Sequence, residues 1–149
     1  MKVLILGLGN PILTDDGVGI KVAQEIRERR PDLEVVETSE AGLSLLDLIS
    51  GYDKIVIIDS IVTGRGRPGE VYKIEFSDLG PSCEIAFSHG VDLATVLELG
   101  RKLGLEMPGE ISIYAVEVRD VTTFGERCTE EVERSIPFIA EQILREEGL

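Results

Sequence analysis

Apolar runs with strand character alternate along the chain with segments of helical periodicity. Lys2 to Leu8 is almost continuously apolar, the pattern of a strand covered on both faces. Asp16 to Arg30 follows as a helix, with Val18, Val22, Ala23 and Ile26 on one stripe and Pro31 as its stop. Leu33 to Glu37 is a second strand, Leu43 to Ile49 a short helix ended by Gly51, and Lys54 to Asp59 a third buried strand. A Gly/Pro-rich turn from Gly64 to Gly69 leads to Glu70–Phe76, whose alternation suits an edge strand with one exposed face. Gly90 to Leu103 is again helical, with Leu93, Val96, Leu97 and Leu103 apolar and Gly104 following. After a strand from Glu110 to Val116, Thr129 is placed to cap a last helix carrying Val132, Ile136, Ile139, Ala140 and Ile143, with Pro137 as a local kink. Strands joined through helices imply right-handed crossovers. The predicted fold is therefore α/β: a three-layer α/β/α sandwich, its central sheet of about five strands mostly parallel, with one antiparallel edge strand.

Length and charge narrow the picture. At 149 residues the chain is expected to form a single domain, 1–149, able to bury a core without disulfides or a structural metal. Its 28 acidic residues against 15 basic ones give a net charge of −13, unfavourable for nucleic acid or an anionic membrane surface. The apolar runs are too short to span a bilayer, and the N-terminus lacks a signal-peptide pattern, so the expected location is the cytoplasm. Cys83 and Cys128 are too few for a disulfide scaffold and read as small buried hydrophobes. The charged tail Arg145 to Glu147 reads as a solvated helix end.

In an open parallel sheet, ligands bind at the carboxyl ends of the strands. The loop after the first strand supplies Gly7-Leu8-Gly9-Asn10-Pro11 and, further on, Asp15-Asp16-Gly17-Val18-Gly19. The third strand delivers Asp59-Ser60, and His89, the only histidine, lies just ahead of the next helix. Asp16, Asp59 and His89 are thus expected to gather within a few ångströms at one sheet edge. Each also has an ordinary explanation: helix capping, turn formation, or a polar loop residue. One acid of the Asp15-Asp16 pair suffices as a cap; assigning that to Asp15 leaves Asp16 for chemistry. An acid closing the apolar run Ile55 to Ile58 points to function for Asp59. Two carboxylates and an imidazole suit a borderline divalent ion such as nickel, zinc, manganese or cobalt. Three protein ligands make an open site, not a closed structural one. A third glycine at the dinucleotide-fingerprint spacing would fall at Ile12, so that motif fails. Glycines 7, 9, 17 and 19 suit backbone approached closely by a peptide, or simply tight turns.

The stretch Gly7-x-Gly9-Asn10-x4-Asp15-Asp16-Gly17-x-Gly19 resembles the signature of the hydrogenase maturation endopeptidases, and Asp59 and His89 fall where that family has its other metal-contacting residues. The resemblance covers essentially the whole chain. It implies an endopeptidase that removes the C-terminal extension of a nickel-loaded nickel–iron hydrogenase large-subunit precursor. It further implies that Asp16, Asp59 and His89 serve as both catalytic and metal-contacting residues. The resemblance also implies that the nickel is supplied by the substrate large subunit, with other divalent ions able to take its place in vitro. Where many members carry Asp-Gly-Gly-Thr-x-Gly after the second strand, this chain has Glu37-Thr38-Ser39-Glu40-Ala41-Gly42. The opening Gly7-Leu8-Gly9-Asn10-Pro11 also resembles peptidyl-tRNA hydrolases, but their catalytic histidine is replaced here by Thr14-Asp15-Asp16, and a tRNA enzyme wants a basic face. A non-catalytic nucleotide-binding module is the third reading, weakened by the missing glycine.

Overall fold

The computed structural model describes residues 1–39, 42–75 and 93–149. Among these residues five strands, β1 (Val3–Leu8), β2 (Glu34–Thr38), β3 (Lys54–Ile61), β4 (Val71–Glu75) and β5 (Glu110–Glu117), form one sheet in the order β2-β1-β3-β5-β4. All pairs are parallel except β4 with β5. The alternating segment is thus the antiparallel edge strand, as its pattern requires. Phe76, assigned to that strand from sequence, lies outside the described residues.

Helices α1 (Val18–Arg29), α2 (Leu45–Ile49), α3 (Leu93–Lys102) and α4 (Glu130–Glu147) cover the sheet. Alternate strand residues face opposite ways, and the apolar runs accordingly divide. Ile5, Val56, Ile58 and Val116 pack against Val22 and Ile26 of α1 and Val132, Ile139 and Ile143 of α4. Leu4, Leu6, Ile55, Ile57 and Ile113 pack against Leu45 and Ile49 of α2 and Val96 and Leu97 of α3. Among the described residues two helices lie on each face, giving the three layers.

Several boundaries move for physical reasons. Helix α1 begins at Val18, because Thr14–Gly17 winds as a tighter 3-10 turn. Strand β3 continues past Asp59 to Ile61, since Asp59, Ser60 and Ile61 still find partners in Ala115, Val116 and Glu117 of β5. Leu103 is off the helical stripe: α3 ends at Lys102, Leu103 is exposed, and Gly104 takes a left-handed turn (φ +77). Of the predicted helix start, Gly90 falls outside the described residues.

Of Arg145–Glu147, read as a solvated end, Arg145 and Glu146 are exposed, and the reading is corrected at Glu147. The Glu147 side chain is only 1% exposed. It pairs with Lys54 Nζ at 2.5 Å and Lys73 Nζ at 3.4 Å, and accepts the Tyr114 hydroxyl at 2.5 Å. These partners come from β3, β4 and β5, so helix α4 locks the sheet from its last turn. Burial works to raise the Glu147 pKa, but hydrogen bonds from Lys54 and Tyr114 and the charges of Lys54 and Lys73 outweigh it and hold the carboxyl below its usual value. A lowered folded-state pKa contributes stability that is full above the unfolded value and lost as pH falls through the folded one. Glu147→Gln is therefore expected to flatten the acid limb of the stability curve below about pH 4.5, measured as urea midpoint against pH.

Candidate active site

The first loop is fixed by its neighbours before any chemistry is considered. Thr14 has φ 51, a left-handed backbone that a β-branched residue disfavours. It is held there by its amide donating to Gly125 O (3.0 Å) and its hydroxyl donating to Thr123 O (2.5 Å). Gly19 opens the second half of the loop onto the sheet: a Cβ there would lie 2.3 Å from Ile58 O and 2.4 Å from Leu8 O. Only glycine lets the first turn of α1 rest on the carboxyl ends of β1 and β3. Gly9 plays the same part against the Asp16 carbonyl, 2.3 Å from its hypothetical Cβ. What approaches these two glycines is the protein's own backbone.

Asp15 does not cap α1, whose N-cap is Gly17 with no side-chain bond. Its fully buried carboxylate instead reaches the β5–α4 connection. It accepts the amides of Arg119 (3.1 Å), Asp120 (3.0 Å) and Thr129 (2.6 Å), and the Thr129 hydroxyl. Thr129 is the N-cap of α4 as its sequence suggests, but its hydroxyl serves Asp15 and not its own helix. The charge also bears on Cys128, which is buried as expected. Burial first, then the Asp15 carboxylate, pushes its thiol up to about 12, so it is no nucleophile at neutral pH.

Asp16 and Asp59 both stand at the carboxyl edge of β1 and β3, 5% and 1% exposed. The Asn10 amide donates to Asp16 Oδ2 at 3.1 Å, and the Ser60 hydroxyl donates to Asp16 Oδ1 at 3.2 Å. The Ser60 amide donates to Asp59 Oδ1 at 2.8 Å. One residue, Ser60, thus links the two acids. His89 and Cys83 lie outside the described residues, and among the described residues no group of three His, Cys, Asp or Glu side chains gathers to hold an ion. The described part of the site is the carboxylate pair, whose oxygens suit a borderline or hard divalent ion.

A third acid at this edge was overlooked in the sequence, although its signal matches that of Asp59. Glu117 closes the apolar run of β5 and is 2% exposed. It accepts the Thr63 amide (2.8 Å) and hydroxyl, the Tyr72 hydroxyl (3.1 Å) and the Gly66 amide (3.3 Å). Burial alone would raise its pKa; these donors, Thr63 foremost, bring it below the usual range, so it stays ionised. Its place is structural, fastening the loop that leaves β3 just beyond Asp59.

Among the described residues no helix is long and apolar enough to cross a membrane. Comparison with known proteins agrees with the geometry. The sequence model of the family described as hydrogenase maturation protease matches residues 4–146. The Hydrogenase 2 maturation protease of Escherichia coli is 30% identical over 120 residues, 78% of this chain and 73% of that protein. Among solved structures, the maturating endopeptidase HybD from E. coli superposes with a TM-score of 0.79 at 30% identity, over 99% of this chain and 94% of that one. The nickel–iron hydrogenase maturation protease HybD from Thermococcus kodakarensis gives 0.74 at 28% identity, over 99% of both chains. With the signature loop, the sheet order and an almost full-length match in agreement, the chain belongs to the hydrogenase maturation protease family and is a peptidase of hydrogenase maturation.

Proposed function

We propose that this enzyme removes the C-terminal extension of a nickel–iron hydrogenase large-subunit precursor in the cytoplasm, and that Asp16, Asp59 and His89 contact the nickel the precursor carries. The observation that carries the reading is the pair of buried carboxylates, Asp16 and Asp59, joined through Ser60 at the carboxyl edge of the sheet in a chain of this family. Amide hydrolysis needs a polarised carbonyl, an activated water and a proton donor. Nickel arriving with the substrate supplies the Lewis acid. Asp16 and Asp59 supply negative oxygen ligands, and a carboxylate of the pair, once off the metal, takes the proton of the attacking water and returns it to the leaving amine as the C–N bond breaks. His89 completes an oxygen, oxygen, nitrogen set. Because the metal belongs to the partner, the same contact that assists hydrolysis also distinguishes a nickel-loaded precursor from an empty one.

The test incubates the protein with nickel-loaded and nickel-free large-subunit precursor and follows tail loss by intact-mass measurement. Loss from the loaded form alone is expected. Equal cleavage of both overturns nickel recognition.

A further inference from the structure

We infer that Ser60 is a positioning residue for the nickel-contacting carboxylates, setting how strongly the enzyme prefers a nickel-loaded precursor; the inference rests on the function proposed above. Consecutive residues on β3 point to opposite faces. Asp59 follows Ile57 toward the α2–α3 layer, and Ser60 follows Ile58 toward the α1–α4 layer, where the 3-10 turn ahead of α1 brings Asp16. Ser60 is fully buried and carries two donors used in two directions. Its amide orients Asp59 Oδ1 at 2.8 Å, and its hydroxyl orients Asp16 Oδ1 at 3.2 Å. The Asn10 amide on Asp16 Oδ2 (3.1 Å) is a further restraint on that carboxylate. Replacing the hydroxyl leaves the Asp59 contact in place, because that contact is backbone, and releases the restraint on Asp16 Oδ1. A ligand held loosely before binding must be ordered at binding, which weakens affinity.

This locates the effect in recognition of the metal, not in the general docking of the precursor. The measurable quantities are KM for nickel-loaded precursor and the inhibition constant of nickel-free precursor competing with it. In the unaltered protein the inhibition constant is expected to exceed KM. Ser60→Ala is expected to raise KM about fivefold to tenfold, the weight of one ordinary hydrogen bond, while the inhibition constant of the nickel-free form stays within twofold. Ser60→Thr, which keeps a hydroxyl and suits a strand, is expected to restore KM. A purely structural loss would raise both constants together. Both rising together, or an unchanged KM in Ser60→Ala, overturns the role of Ser60 and leaves the proposed function standing. An inhibition constant equal to KM in the unaltered protein overturns nickel recognition itself, and the role of Ser60 with it.

Discussion

Asp59→Asn is expected to slow tail removal by at least about a hundredfold while leaving the fold intact. The amide oxygen of asparagine can still accept the Ser60 amide, so that tie between the side chain and its own strand survives. What is lost is the negative charge of a residue only 1% exposed. A neutral amide is a far weaker ligand for a divalent ion and no base for a water proton, and general-base catalysis alone is worth about 10²–10⁴ in rate. Asparagine keeps the shape and size of the side chain, so the melting curve should still show a cooperative folded protein. Asp16→Asn and His89→Ala should behave alike in processing. The decisive measurement is the first-order rate of tail loss from nickel-loaded precursor under single-turnover conditions, beside a melting curve. Near-normal processing by Asp59→Asn would remove that residue from the mechanism.

The adjacent acid predicts the opposite pattern. Asp15→Ala should destabilise the protein by about 3–5 kcal/mol, because it strands three amides and a hydroxyl that the carboxylate now satisfies in a fully buried position. Against a total stability of about 5–15 kcal/mol that is a large fraction, and a fall in the melting midpoint of about 10 °C is expected. Processing should suffer only through the unfolded fraction, which low temperature restores. A melting point within about 2 °C of the unaltered protein would show that the Asp15 bonds carry little net stabilisation.

These neighbours show what a sequence can and cannot disclose. The strands were legible because β1 and β3 are covered on both faces, which writes an almost unbroken apolar run into the chain. Asp59 was legible for the same reason, as the acid that ends such a run. The division of labour between Asp15 and Asp16 was not, since the partners of Asp15 lie 104 to 114 residues away and no local pattern names them. Assigning Asp15 to the nearest helix was the local answer; the true one runs to the start of α4. Glu147 misled in the same way, reading as part of a charged tail until Lys54, Lys73 and Tyr114 converge on it. Glu117 carried the signal that identified Asp59 but lacked a signature motif around it. The family resemblance was legible because the first loop is under local constraint: Gly9 and Gly19 admit backbone atoms that any Cβ would strike.

The sheet order β2-β1-β3-β5-β4 places the last strand to be made between two earlier ones. A nascent chain emerging from the ribosome can zip β1, β2 and β3 together as soon as they appear, because the ladders of β1 with β2 and with β3 draw on no later strand. The acids Asp16 and Asp59 can therefore be brought together early in synthesis. Strand β4, by contrast, ladders only with β5 among the described residues, and β3 keeps an open flank until β5 slides in beside it. Unpaired strand flanks of this kind invite pairing with other chains. The arrival of β5 closes that flank, gives β4 its ladder and carries in the Arg119–Thr129 connection that fastens Asp15. Completion of the sheet and fastening of the first loop are thus one late event, so partly made chains would hold the acids without a finished frame around them.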